Sequence, residues 1–156
     1  MNKENKQRYI ELKAKVDRIK YPNVPYPIEP DTKERSANDL TKLIKNFLNW
    51  EGWQCERINT MGRMVGKTQI KHDVVGLPQV VGGQKYIKGT GTKGSADLSA
   101  TIKGRSVKIE IKWGKDRQSQ EQKAYQEQIE SAGGIYYIAR TFDDFVEWYD
   151  QKIQNF

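Results

Sequence analysis

A single cysteine and a single histidine in 156 residues remove two kinds of chemistry at once. Cys55 has no partner for an internal disulfide, and with His72 as the sole imidazole no Cys/His zinc cluster can be assembled. A catalytic metal would have to sit mainly on oxygen, which suits magnesium, manganese or calcium. No apolar run approaches the roughly 18 residues of a membrane span, and the opening MNKENKQRYIELK lacks the apolar stretch of a signal peptide. The expectation is an intracellular, cytoplasmic protein with no membrane partner. Proline is nearly confined to one place: four of the five fall in YPNVPYPIEP, residues 21–30, which reads as an extended linker. Ahead of it, residues 4–20 read as a charged helix whose apolar stripe, Tyr9, Leu12, Val16 and Ile19, is thin. The expected organisation is therefore an N-terminal helix and Pro-rich arm over 1–30, either an exchange element or a loose tail, and one compact domain over 31–156.

Acidic residues are also unevenly short. From Arg57 to Lys93 stand seven basic residues, Arg57, Arg63, Lys67, Lys71, Lys85, Lys88 and Lys93, against the single acid Asp73. This segment carries almost all of the chain's formal charge of +7 and points to an anionic partner such as nucleic acid, against the plainer reading of a solvated loop.

What is present reads as an α/β (α+β) domain. Ser36 caps a helix with Leu40, Leu43, Ile44, Phe47 and Leu48 on one face and Gly52 as its stop. A strand over 53–59 follows. The Gly-rich basic segment to Gly94 reads as loop-dominated, with weak strand signals at Val74–Val75 and Val80–Val81. Two alternating strands then meet at Lys103–Gly104, and a Gln-rich helix over 119–132 leads to a strand over 135–139. Thr141 and Asp144 open a last helix.

The hairpin carries the chemistry. If it turns on Lys103 and Gly104, Asp97 falls opposite Glu110, with Cβ atoms about 4.5–5.5 Å apart, and two like charges so close call for a cation between them. Lys112 leaves the same face one pleat further along. The opposite face, Leu98, Ala100, Ile102, Val107, Ile109 and Ile111, is wholly apolar and must pack on a core, and alternation sends Trp113 to that side. The plain alternative is that Asp97, Glu110 and Lys112 are the wet face of an antiparallel sheet.

Gly94-Ser95-Ala96-Asp97, then Glu110-Ile111-Lys112, then Gln122 in the helix segment R-Q-S-Q-E-Q, resembles the PD-(D/E)XK nucleases, and among them the VRR-NUC (virus-type replication-repair nuclease) branch, over residues 34–150. The resemblance implies a restriction-endonuclease-like αβββαβ core, a central mixed sheet flanked by helices, to which the N-terminal helix is added. It implies a Mg²⁺-dependent endodeoxyribonuclease, Mn²⁺ substituting, that acts on branched or Holliday-junction DNA in replication, recombination or repair. Asp97, Glu110 and the main-chain carbonyl of Ile111 would hold the metal, Lys112 would position the attacking water, and Gln122 would steady the site or touch the phosphate. An acidic ligand from the first helix would be Asp39 or Glu34, although Asp39 reads more readily as a helix cap. Small relatives imply a homodimer, and a phage or mobile-element origin would place the protein in a bacterial host cell. The rival class is a catalytically silent, nuclease-derived DNA-binding or virion-associated module.

Two other motifs are decoys. Gly89-Thr90-Gly91-Thr92-Lys93-Gly94 imitates a dinucleotide loop but opens no helix, and Gly62 to Thr68 imitates a Walker A loop with one residue too few. Their glycines better serve close backbone approach to phosphates.

Overall fold

The structure, a computed structural model, describes residues 1–26, 28–59, 62–87, 89 and 91–154. In chain order its elements are helices α1 (Lys3–Lys20) and α2 (Ala37–Trp50), strands β1 (Gln54–Arg57), β2 (Arg63–Val65), β3 (Gln69–His72), β4 (Pro78–Val81), β5 (Lys85–Ile87), β6 (Leu98–Ile102) and β7 (Arg105–Ile111), helix α3 (Gln120–Ser131), strand β8 (Ile135–Ala139) and helix α4 (Phe142–Gln154). They divide into two compact units, one of Met1–Ile58 with Gly94–Phe156 and one of Asn59–Lys93.

In the first unit a four-stranded mixed sheet runs in the order β1-β6-β7-β8. The β1–β6 and β6–β7 pairs are antiparallel, and β7–β8 is parallel. A parallel pair needs a crossover, which α3 supplies. The six apolar side chains of the β6–β7 hairpin are all buried, as alternation predicts. Helix α2 begins where Ser36 accepts the Asp39 N–H, and all five residues of its apolar face are buried. Phe142, Phe145, Val146 and Tyr149 of α4 complete the core, at about 1.5–3 kcal/mol for each large side chain withdrawn from water.

Helix α1 belongs to this unit, but only the first half of its stripe is used. Tyr9 is buried with its ring 4.7 Å from Trp50 and 5.5 Å from Phe142, whereas Ile19 is exposed. Arg8 fastens the helix further through Glu51 and Asp150. Trp113 departs from expectation: β7 ends at Ile111, alternation lapses, and the indole is left partly exposed.

The second unit corrects the loop reading of the basic segment. Strands β2 and β5 pair antiparallel, as do β3 and β4, and the pairing offset is the same in both, so the unit is one long two-stranded ribbon. Val80–Val81 lie in β4, but Val74–Val75 form the turn at the ribbon's end rather than a strand. Gly66-Lys67-Thr68 joins two strands with no helix following, which removes the Walker reading. No helix among the described residues is long and apolar enough to cross a membrane.

Candidate active site

Lys103 (φ +46°) and Gly104 (φ +78°) give the hairpin a left-handed pair of turn residues, which matches the right-handed strand twist. Pairing runs from Ile102–Arg105 to Leu98–Ile109, the register expected from the sequence. Asp97 precedes β6 by one residue, and its Oδ2 accepts the Ile111 N–H at 2.9 Å while its own carbonyl accepts the Ile58 N–H at 2.9 Å. Its carboxylate is therefore clamped against the end of β7.

Glu110 and Lys112 are not on a wet face: they retain 2% and 4% of their exposure. Lys112 Nζ lies 3.0 Å from Glu110 Oε1 and 3.7 Å from Asp116 Oδ2, and donates to Gln122 Oε1 at 2.9 Å. Gln122 Nε2 in turn donates to Glu110 Oε1. The other carboxylate oxygen, Glu110 Oε2, is buried and has no hydrogen-bond partner among the described residues. Burial pushes the Glu110 pKa up; the Lys112 hydrogen bond opposes this and the nearby Asp97 charge adds to it.

Gln122 arrives at this point for a local reason. Ser119 caps α3 by accepting the Gln122 N–H, and Gln122 Oε1 accepts the Ser119 N–H, so the side chain folds back over the helix start. Gly94 lets that turn come close. Its φ is +78°, and a Cβ there would stand 2.5 Å from the carbonyl carbon and oxygen of Glu121. The glycine three residues ahead of Asp97 is thus a packing requirement of the α3 start.

A cleft of about 500 Å³ opens over these groups, lined by Asp97, Glu110, Ile111, Lys112, Asp116 and Gln122 and, from α2 and β1, by Ser36, Ala37, Asn38, Thr41 and Arg57. No family model and no curated protein matches this chain. Its chemistry has to be argued from the cleft.

Of the residues singled out in the sequence, the fold brings together Asp97, Glu110, Ile111, Lys112, Gln122 and Arg57. It does not bring in the first-helix acids. Glu34 accepts the Phe142 N–H at 3.0 Å and pairs with the Met1 amine, and Asp39 faces Arg35; neither lines the cleft. The cap of α2 is Ser36, which accepts the Asp39 N–H, while the Asp39 carboxylate pairs with Arg35. Arg63, Lys67, Lys71, Lys85 and Lys93 belong to the second unit, and Lys88 lies outside the described residues. His72 is exposed at the end of β3.

Asn38, Thr41 and Asp116 also line the cleft, and the sequence reading missed them. Asp116, four residues after Lys112, carried a signal in its spacing to the lysine; Asn38 and Thr41 carried none, because only the packing of α2 brings them there. Oxygen donors from Asp97, Glu110 and the Ile111 backbone suit a hard divalent cation, and the unpartnered buried Glu110 Oε2 is the atom such a cation would satisfy. Among the described residues no group of three His, Cys, Asp or Glu side chains stands ready as a metal cage, so water or substrate oxygens would complete the shell.

Proposed function

We propose that this protein is a divalent-metal-dependent nuclease of the PD-(D/E)XK type, close to the VRR-NUC branch, that hydrolyses DNA phosphodiester bonds. One observation carries the reading: a carboxylate and an ammonium are withdrawn from water beside a second carboxylate, at the floor of an open cleft, with one carboxylate oxygen left unpartnered. Desolvating charges is expensive, and a site that does so without satisfying every lone pair points to a function. The order α2, β1, β6, β7, α3, β8 agrees with the αβββαβ core of that superfamily, and Gly94 and Gln122 have structural reasons to stand where its motif has them.

In this reading Asp97, Glu110 and the Ile111 carbonyl hold Mg²⁺, or Mn²⁺ in its place. The cation supplies Lewis-acid activation at the scissile phosphate. Lys112, fixed by Glu110 and Gln122, orients the attacking water and offsets negative charge growing on the phosphoryl oxygens. Gln122 keeps both side chains in one arrangement. Arg57, exposed at the cleft, draws in the phosphate backbone, and the first turn of α2 offers it the positive end of a helix.

A second reading, a silent DNA-binding module, draws on the sparse ligand set, since neither Glu34 nor Asp39 adds a carboxylate to the cleft. One experiment separates them. Labelled linear, flap and four-way DNA is incubated with the protein in Mg²⁺ and in chelator, beside Asp97→Ala, Glu110→Ala and Lys112→Ala. Cleavage that needs Mg²⁺ and is lost in all three variants supports the nuclease; DNA that is bound but uncut by the unaltered protein establishes the silent module, and full activity of Lys112→Ala refutes its role.

A further inference from the structure

The ribbon of the second unit ends in a turn of unusual composition. Asp73 closes it: its N–H donates to the Leu77 carbonyl, its carbonyl accepts the Gly76 N–H, and its Oδ1 accepts the N–H groups of Val75 and Leu77 at 2.9 Å. With Gly76 at φ +84°, this is a three-residue hairpin loop of a common kind, a tight turn followed by a left-handed glycine. Such an apex ordinarily carries Pro, Asn, Asp, Ser or Gly. Here it carries Val74 and Val75, at 106% and 79% exposure. Two β-branched apolar side chains are held outward by a well-bonded turn against local preference, a conflict that marks a functional position rather than a folding one.

Within each ladder alternation sets the faces. Arg63 and Lys85 share one with Val65 and Ile87, opposite Met64 and Tyr86; Lys71 shares one with Gln69, Gln79 and Val81, opposite Ile70, His72, Pro78 and Val80. Between the two ladders each strand runs three residues, with Gly66 at φ +117° and Gly82 at φ +94°. At that waist a Cβ on Gly66 would lie 2.2 Å from the Gly83 carbonyl oxygen, so the strands cross at glycine contact. Four basic residues stand between 63 and 87, and the single acid, Asp73, has its carboxylate engaged in the turn.

We infer that residues 63–87 form a DNA-engaging arm in which Val74 and Val75 wedge against the bases at a locally unstacked step, while Arg63, Lys67, Lys71 and Lys85 hold the flanking phosphates. The inference rests on the reading of the protein as a DNA enzyme and adds the residues by which it would tell a branch point from an intact duplex. A two-stranded ribbon fits the major groove of B-form DNA but not the deep, narrow groove of A-form RNA. Apolar side chains that part base steps are a known route to distorted DNA, and the cost of parting falls where stacking is already broken, as at a branch point. The arm therefore selects branched DNA over an intact duplex.

The test uses the full chain in chelator, so that binding is read without cleavage. Four-way and linear DNA of equal length carry 2-aminopurine, at the branch point and at the matching position. The unaltered protein should bind the four-way DNA about tenfold tighter and raise its fluorescence, and the Val74→Ser/Val75→Ser variant, equal in charge, should lose both, since the stake is the burial of one or two valine side chains. Lys71→Gln/Lys85→Gln should instead weaken binding to both DNAs and lower the salt dependence by about two phosphate contacts, with the branch preference kept. Unchanged preference and fluorescence in the double serine variant overturn the wedge while leaving DNA binding intact. A DNA-free dimer that the same variant dissolves overturns it in favour of self-association. Failure of the unaltered protein to bind any DNA overturns the underlying reading as well.

Discussion

The Lys112 ammonium lies 3.0 Å from one Glu110 oxygen, with both side chains almost wholly withdrawn from solvent. A pair of this kind is worth little against apolar residues of the same shape, yet either half is costly to leave alone. Lys112→Met should therefore destabilise the protein by about 3 kcal/mol or more, and the double variant Glu110→Gln/Lys112→Met should recover most of that loss. Denaturant unfolding of the two single variants and the double measures the coupling; simple additivity would remove the buried pair from the argument.

Divalent cations should stabilise the fold through the carboxylates of Asp97 and Glu110. With Mg²⁺ at one hundred times its dissociation constant the gain is about 2.7 kcal/mol, visible as a rise in Tm over the chelated protein. Asp97→Asn and Glu110→Gln should each abolish most of the rise. An equal rise in both variants would move the cation away from this cleft.

Gly94→Ala should cost about 1–2 kcal/mol for the left-handed backbone alone and more for the collision with Glu121. Because the α3 start must then move, Gln122 should lose its hold on Lys112 and Glu110, and DNA cleavage should fall with it. Cleavage by Gly94→Ala is to be compared with that by Gln122→Ala at a temperature where both are folded; an active, stable Gly94→Ala protein contradicts the packing role.

Burial raises the Cys55 thiol from 9.0 to about 12, so in the folded protein it stays protonated where an open thiol ionises. A raised folded-state value means that its contribution to stability is fully present below pH 9.0 and is lost as pH climbs through about 12. Alkylation at pH 8 to 9 should accordingly be slow in the native protein and become fast on unfolding. Rapid labelling of the native protein would contradict the buried placement.

The elements that bury one face were legible because burial imposes a period. Leu40 to Leu48 repeat as a helix does, Leu98 to Ile111 alternate as a half-buried hairpin does, and Lys103–Gly104 set the register that brings Asp97 to the end of β7, where it accepts the Ile111 N–H. The ribbon was not legible, since a hairpin exposed on both faces has no core to enforce a pattern, and Val74–Val75 read as strand because valine ordinarily avoids a turn. Nor could spacing reveal that Glu110 and Lys112 are buried, when alternation says only that they share a face.

From residue order alone follow the elements that bury one face, the hairpin register, the lack of an internal disulfide, and the shortlist of Asp97, Glu110, Lys112 and Gln122. These depend on neighbours a few residues apart, whose preferences the chain carries with it. Packing alone decided that Gly94 yields space to the α3 start, that Glu34 and Asp39 turn elsewhere, and that Arg57, Asn38 and Thr41 line the cleft. Those outcomes rest on contacts between segments far apart in the chain, where steric fit and desolvation are settled only once the whole unit has closed.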